Sequence, residues 1–260
     1  MKYYFDRALE TSAFHLFLKP MISNLGFCMC GRFLLRCPPE NWPENLFGDG
    51  GGLVSSKLGD AFRPRQNICP TQPVFAIVQA ANHDQSTPSL RTLTMLRWGL
   101  VPSWASDRKI GASMINARSE TVAEKPSFRT AFARRRCLIP ADGYYEWVSL
   151  EKGKQPMLIE RPNQELFCFA GLWERNEKLP AEKDGVADRA RPLLTCTIIT
   201  TAANTSLSAI HARMPVVVRP ENYDVWLDPS VQNVSALQQL LVAAADGYFG
   251  AVPVERVSGE

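Results

Sequence analysis

Short stretches of strand-favouring residues, separated by polar segments, dominate the chain from about residue 30 onward. These stretches are 73–80 (PVFAIVQA), 93–98 (LTMLRW), 157–161 (MLIER), 166–174 (LFCFAGLWE), 193–202 (LLTCTIITTA) and 214–220 (MPVVVRP). They are rich in β-branched and aromatic residues, which favour strands that face a core. The polar segments 81–89 and 176–192 predict exposed loops. The Gly-rich segment 48–52 predicts a flexible connection and not a phosphate-binding loop, because no Lys-Ser/Thr pair follows it.

Two segments show the spacing of apolar residues that is typical of helices. Residues 127–136 place Phe128 and Phe132 four positions apart, on one helix face. Residues 230–245 begin with Ser230, a residue type that often caps a helix, and continue with apolar residues at helical spacing. No internal repeat or composition shift marks a domain boundary. The sequence therefore predicts an α+β fold, a single mixed domain built mainly on antiparallel strands in a barrel-like sheet, with a few helices.

The composition is that of an ordinary globular protein, and it excludes several classes. Hydrophobic residues make up 45% of the 260 residues, enough for a core without disulfide bonds. The seven cysteines have no regular spacing, which favours reduced thiols in a cytoplasmic protein. A net charge of +3 is too small to indicate a nucleic-acid partner by itself. Neither a signal peptide nor a membrane span of about 18 apolar residues is visible. We therefore expect a soluble monomer without a membrane partner.

Residues that could carry chemistry concentrate in six short motifs. They are CGRF (30–33), NICPTQ (67–72), RWGLVPSW (97–104), NARSET (116–121), RRRCLIPADGYYEW (134–147) and IHARMP (210–215). Taken singly, Glu146 would be a carboxylate paired with an arginine, and His211 a structural imidazole. Their occurrence together in one chain is what favours a functional site.

In this order, from Met29 almost to the C-terminus, the motifs resemble the SOS response-associated peptidase family, whose members act as abasic-site processing proteins in DNA damage and repair. In that family the cysteine follows the initiator methionine and becomes the N-terminus once that methionine is removed. It then bonds covalently to the aldehyde of an abasic site in single-stranded DNA. The resemblance implies that Cys30 holds this position and that residues 29–260 form the abasic-site processing domain. Residues 1–28 would then be a leader, present because the true start is Met29 or because the segment is removed later.

The chemistry explains why the cysteine would have to be terminal. A free α-amine condenses with an aldehyde to an imine, and the neighbouring thiol then closes a five-membered thiazolidine. An internal cysteine has its nitrogen locked in an amide and cannot close this ring. At pH 7 an α-amine is neutral, and therefore nucleophilic, about two and a half orders of magnitude more often than a lysine. Cys30 with residues still attached in front is therefore predicted not to react in this way.

The resemblance also implies the other catalytic residues. Asn116 would orient the sugar or the terminal amine. Glu146 would shuttle protons during imine formation and ring closure. His211 would help to open the deoxyribose ring by proton transfer to its hydroxyls. No cofactor and no metal ion is implied.

The resemblance further implies a basic DNA-binding groove. Arg32, Arg118 and Arg213 each lie within two residues of a predicted catalytic position, where guanidinium groups would hold the flanking phosphates. Trp104 would stack on a base, and Thr200 would supply a supporting hydrogen bond. The predicted partner is single-stranded DNA that contains abasic sites.

Other functions stay open at this point. Cys30, His211 and Asn116 could form the Cys-His-Asn set of a peptidase that acts on other proteins. A non-catalytic single-strand binder is a second alternative. A metal site built from Cys28, Cys30 and Cys37 is the weakest, because these residues lack a Cys-x-x-Cys pair and a nearby histidine. The family name also records an autoproteolytic peptidase activity, and the imine stage allows a strand-cleaving lyase activity.

Overall fold

A computed structural model of the chain describes residues 31–47, 62–79, 90–183 and 186–257. The leader 1–28, Met29 and Cys30 lie outside the described residues, as do the segments 48–52 and 81–89 for which loops were predicted.

Two β-sheets form the framework of the described residues. The smaller sheet has the strand order β13-β8-β7-β1-β2. Its strands are β1 (Arg32–Leu35), β2 (Arg65–Ile68), β7 (Gly143–Ser149), β8 (Lys154–Glu160) and β13 (Gly250–Pro253). All of its neighbouring strands pair in antiparallel orientation.

The larger sheet closes on itself. Its strands are β3 (Pro73–Gln79), β4 (Arg91–Trp98), β5 (Asn116–Arg118), β6 (Arg136–Ala141), β9 (Phe167–Lys183), β10 (Val186–Ala202), β11 (Arg213–Pro215) and β12 (Val217–Val218). The order β10-β4-β3-β6-β9 forms a circuit, because β9 also pairs with β10. Only β4 and β5 run parallel to β10; the other pairs are antiparallel. The predicted α+β fold on a barrel-like sheet is confirmed.

Five of the six predicted strand stretches each fall within one strand, to within a residue at the ends, and the sixth, 214–220, is divided between β11 and β12. The predicted loop at 176–192 is wrong. This segment continues β9 and β10 as a long hairpin, whose register reaches Lys183 opposite Val186. Most described side chains of this arm are at least partly exposed, so no core face imposes the alternation by which a strand is recognised.

Four short α-helices are present among the described residues. They are α1 (Arg129–Arg134), α2 (Thr205–Ser208), α3 (Tyr223–Leu227) and α4 (Val234–Gln239). Short 3-10 turns occupy Pro39–Asn41, Glu44–Leu46, Arg108–Ser113 and Pro220–Asn222. Within the described ranges, no helix has the length and apolar character needed to cross a membrane.

The helix predicted at 127–136 is confirmed over a shorter span, and the one predicted at 230–245 is largely wrong. Only α4 is helical there, and its cap is Asn233, whose Oδ1 accepts a hydrogen bond from the backbone N–H of Ala236 at 3.1 Å. Ser230 is not the cap. Residues 241–245 form no regular element, and the carbonyls of Ala244 and Ala245 accept hydrogen bonds from the Asn204 side chain, at 2.9 and 3.2 Å.

Trp98, at the end of β4, connects the two sheets. Its side chain is fully buried, and its ring lies 5.2 Å from the ring of Phe33 in β1 in an edge-on arrangement. Its Nε1 donates to the carbonyl of Ile115, the residue before β5, at 2.9 Å. One side chain thus sets the distance between β1 and β5.

Gly99 directly follows Trp98, and Gly111 lies in the 3-10 turn Arg108–Ser113. At these two glycines the backbones of the two segments are in contact. Gly99 has a φ of +117°, and a Cβ built on either glycine would lie 2.5 Å from the carbonyl oxygen of the other. No side chain fits at either position, so these glycines fix the path that leads from Trp98 to β5.

Gly99→Ala should lower the free energy of unfolding by about 3 kcal/mol or more, because it adds a backbone clash to an unfavourable φ. Gly247→Ala is the matched control, since Gly247 has a φ of +80° and nothing within 4 Å of the added Cβ. The control should cost only about 1 kcal/mol. Urea unfolding of both variants measures the difference, and equal losses would contradict the role of the close approach.

Candidate functional site

Four of the predicted site residues meet at the C-terminal end of β10. The parallel pairing of β5 with β10 sets Asn116 opposite Ile198, and Arg118 opposite Thr200. The antiparallel pairing of β11 sets Arg213 opposite Ala202. Strand register therefore brings Asn116, Arg118, Thr200 and Arg213 together from three separate chain segments.

Arg213 is the most highly coordinated side chain of this group. Its Nη2 donates to the carbonyl of the buried Thr200 at 2.6 Å and lies 3.3 Å from the Thr200 hydroxyl. Its Nη1 and Nη2 also donate to the two carboxylate oxygens of Glu120, at 2.8 and 2.9 Å. This bidentate pair fixes the plane of the guanidinium group.

Glu120 is a site residue that was not predicted. Its hydrogen bond with Arg213, together with the nearby charges of Arg213 and Arg118, holds the pKa of the Glu120 carboxyl below its usual range. Glu120 is therefore ionised at neutral pH. Its position inside the NARSET motif, two residues after Arg118, was the available signal, but the partner of a carboxylate cannot be deduced from a motif.

His211 lies at the edge of this group, directly after α2. Its backbone N–H donates to the carbonyl of Leu207 at 3.1 Å, and its Nδ1 accepts from the backbone N–H of Arg213 at 3.1 Å. The same Nδ1 lies 3.3 Å from the carbonyl of Arg213, to which it would donate in the tautomer that carries the proton on Nδ1. Burial is the main cause that lowers the pKa of His211 from its ordinary value. The ring is therefore mainly a neutral imidazole at pH 7.

Glu146 and Arg32 lie on the smaller sheet. Glu146 is buried in β7, with 5% of its surface exposed. The register of β1 and β7 pairs Arg32 with Tyr145, and continuing it by one residue sets Gly31 opposite Glu146. Arg32 donates from Nη1 to the side chain of Asn67 at 3.1 Å. The carboxyl of Glu146 is thus held at the beginning of β1.

The residues at the end of β10 and the residues on the smaller sheet are both connected to the same buried side chain, that of Trp98. Arg32 precedes Phe33, whose ring contacts Trp98, and Asn116 follows Ile115, whose carbonyl accepts from Trp98. Trp98 therefore links the strand that carries Arg32 to the residue before Asn116.

Trp104 lies apart from this group. It is exposed, and its carbonyl accepts from Lys178 at 3.0 Å, while Asn176 donates to the neighbouring carbonyls of Pro102 and Ala105. Asn176 pairs with Leu193 of β10. Leu193 precedes Thr200 by seven positions, which corresponds to about 20 Å along a strand. Trp104 is thus placed near the base of the hairpin arm.

The proposed metal-binding cysteines fall mostly outside the described residues. Cys37 is described, and burial, together with Asp142 and Glu40, raises the pKa of its thiol. Within the described part of the chain, no three His, Cys, Asp or Glu side chains are grouped in a way that could hold a metal ion.

Solved structures with a similar fold come from two bacteria. A phage-related protein from Bordetella bronchiseptica superposes with a TM-score of 0.61 and 27% identity, covering 87% of this chain and 95% of that one. A protein from Bacteroides thetaiotaomicron superposes with a TM-score of 0.62 at 24% identity, covering 77% of this chain and 82% of that chain. The second likeness concerns the fold alone.

Sequence relatives extend the comparison. The abasic site processing protein YoqW of Bacillus subtilis is 40% identical over 220 residues, covering 82% of this chain and 86% of the relative. YoaM of the same organism, also called an abasic site processing protein, is 42% identical over 215 residues with the same coverage. The abasic site processing protein HMCES of Gallus gallus is 32% identical over 196 residues, covering 64% of this chain and 54% of the relative. The family model for SOS response associated peptidase matches residues 29–259, so the chain belongs to the SOS response associated peptidase family.

Proposed function

We propose that this protein processes abasic sites in single-stranded DNA by forming a covalent crosslink between Cys30, as its amino-terminal residue, and the aldehyde of the opened sugar. The observation that carries the proposal is the position of Glu146, a buried carboxyl opposite Gly31. Cys30 is bonded to Gly31, so its Cα lies about 3.8 Å from that of Gly31. This position supports a role for Glu146 in transferring protons to and from the amine of Cys30. The names of the relatives support the same substrate.

The reaction has two balanced steps. The neutral α-amine of Cys30 adds to the C1′ aldehyde, and loss of one water gives the imine. The thiol of Cys30 then adds across the C=N bond: sulfur bonds to carbon, and the thiol proton passes to nitrogen. Glu146 carries protons to the leaving hydroxyl and between sulfur and nitrogen. The product is the protein plus the oligonucleotide minus one water.

The group at the end of β10 serves the sugar and the phosphates. The Nε2 of neutral His211 exchanges hydrogen bonds and protons with the sugar oxygens as the ring opens, and Asn116 orients the sugar or the amine. Arg118 and Arg213 hold the phosphates on either side. Arg32 contributes the same charge from β1, and Trp104 stacks on a more distant base of the strand.

Two further activities belong to this proposal. The imine stage permits elimination of the 3′ phosphate, which would cleave the strand as a lyase does. Cys30 must also be freed from the residues before it. Removal of Met29 as an initiator methionine achieves this, and so does autoproteolysis of a longer chain.

The terminal-amine mechanism predicts the mass of the product. Protein that begins at Cys30 should gain one oligonucleotide minus water when it is incubated with a single-stranded oligonucleotide carrying one abasic site, measured by intact-protein mass spectrometry. Cys30→Ser keeps the amine but lacks the thiol, so it should form an adduct only after borohydride reduction of the imine. An unreduced, stable adduct on protein that retains residues before Cys30 would overturn the mechanism.

Glu146→Gln should slow crosslinking by about 10²–10⁴-fold, because Gln cannot transfer protons. Its affinity for undamaged single-stranded DNA should stay the same. Glu174→Gln is the control matched in burial, since Glu174 is also 5% exposed and pairs with Arg135 at 2.8 Å, away from the site. Crosslinking rates on denaturing gels and thermal unfolding midpoints should separate the two. The role assigned to Glu146 is wrong if both variants crosslink at the same rate.

A further inference from the structure

In the structure, the donors through which Arg213 would hold a phosphate are already in use. A guanidinium group has five N–H donors in a planar fork, and a phosphate is gripped by two parallel donors along one edge. Glu120 takes one donor each from Nη1 and Nη2, and Thr200 takes the second donor of Nη2. Among the described residues the Nε–H has no acceptor, and it is buried. A single Nη1 donor remains, so no edge with two accessible donors is left for a phosphate.

Glu120 is placed so that it can leave this position. Its side chain is 50% exposed, whereas Arg213 is 16% exposed. The backbone around Glu120 is anchored, because Ser119 donates to the Thr200 carbonyl at 2.8 Å and Thr121 donates to the Arg118 carbonyl at 3.1 Å. A rotation of the Glu120 side chain would free the fork without moving the strand.

Glu120 also carries the charge of the ligand it would replace. Its carboxylate lies near both Arg118 and Arg213, the two arginines proposed to hold phosphates at this end of β10. A phosphate that binds Arg213 must displace Glu120, so that the ion pair of Arg213 with the carboxylate is replaced by one with the phosphate. The displaced carboxylate then stays close to the phosphate and repels it, which weakens binding through phosphates alone.

We infer that Glu120 is an internal substitute for a DNA phosphate, which keeps Arg213 in position in the free protein and restrains binding to undamaged single strands. The inference rests on the proposed function, in which Arg213 contacts phosphate. Glu120 thereby determines specificity: undamaged strands offer only phosphates with which to displace the carboxylate, whereas a strand with an abasic site is retained by the covalent bond.

The test is the affinity of Glu120→Gln for an undamaged, fluorescently labelled single-stranded oligonucleotide, measured by anisotropy over a series of salt concentrations. Gln keeps the shape and one acceptor but lacks the charge. The variant should bind about 3- to 10-fold more tightly at low salt, and the slope of log K against log salt should steepen by about 0.7, the value of one phosphate contact on a single strand. Unchanged or weaker binding overturns the inference, and weaker binding means that Glu120 only orients Arg213.

Glu165→Gln is the matched control. Glu165 is 51% exposed and pairs with Arg161, in the turn between β8 and β9, which supplies no proposed site residue. Its affinity should not change. The same substitution of Glu120 in an Arg213→Gln background should lose the gain, because the two residues act as a pair. If the gain persists there, it comes from general charge removal, and the inference fails.

Two further measurements complete the design. Glu120→Ala, checked by thermal unfolding, replaces the Gln variant if that variant does not fold, and the same increase in affinity is expected. Crosslinking to an abasic oligonucleotide is followed separately on denaturing gels. If Glu120→Gln binds undamaged strands more tightly but no crosslink forms, the proposed crosslinking function is refuted and the inference about Glu120 stands. If a crosslink forms but undamaged strands are not bound more tightly, the proposed function stands and the inference about Glu120 is refuted.

Discussion

The burial of Trp98 between β1 and β5 is the contact on which the arrangement of the site depends. Its ring meets Phe33, its indole N–H is satisfied by the carbonyl of Ile115, and its backbone pairs with Thr71 and Gln72 at 2.8 and 2.9 Å. A buried tryptophan contributes several kcal/mol through packing, on the order of 3–5 when it is truncated. Because the indole is rigid, it contributes to the free energy of folding and also keeps β1 and β5 at a defined separation. Without it, the polar residues of the two sheets would not be held in fixed positions relative to each other.

Around this contact the fold separates two kinds of polar group. Glu146 is held inside the smaller sheet at the beginning of β1, where burial shields it from water. At the end of β10, by contrast, the side chains are linked: Thr200 accepts from Arg213, Arg213 pairs with Glu120, and the backbone of Arg213 holds His211. A change in any member of this network alters the hydrogen bonds of the others, so the charge state and orientation of the group are collective properties.

Several parts of the fold were predictable because they depend on local pattern. The strands could be located from the sequence because each has a face in the core. The helix Arg129–Arg134 could be located because Phe132, which gives the helical spacing of apolar residues, is buried. Prediction failed where contacts with residues far away in the sequence determined the local structure. The helix α4 ends at Gln239, and residues 241–245 are held by contacts such as that of Asn204 with the carbonyl of Ala244; the arm beyond Asn176 is paired although its composition is that of a loop. Arg136 belongs to a run of arginines that would ordinarily be solvated, yet it is buried and donates to backbone carbonyls, among them that of Trp226.

The sequence by itself determined the family and the location of most strands, and it predicted the candidate site residues, because motifs and periodicity are local properties of the chain. Only the tertiary structure decided how those residues are paired. Arg213 meets Glu120 across 93 positions, burial favours the neutral form of His211, and Trp104 is displaced along β10 from its expected neighbours. Each of these depends on strand register and on exclusion of water, which arise only when segments far apart in the chain are packed together.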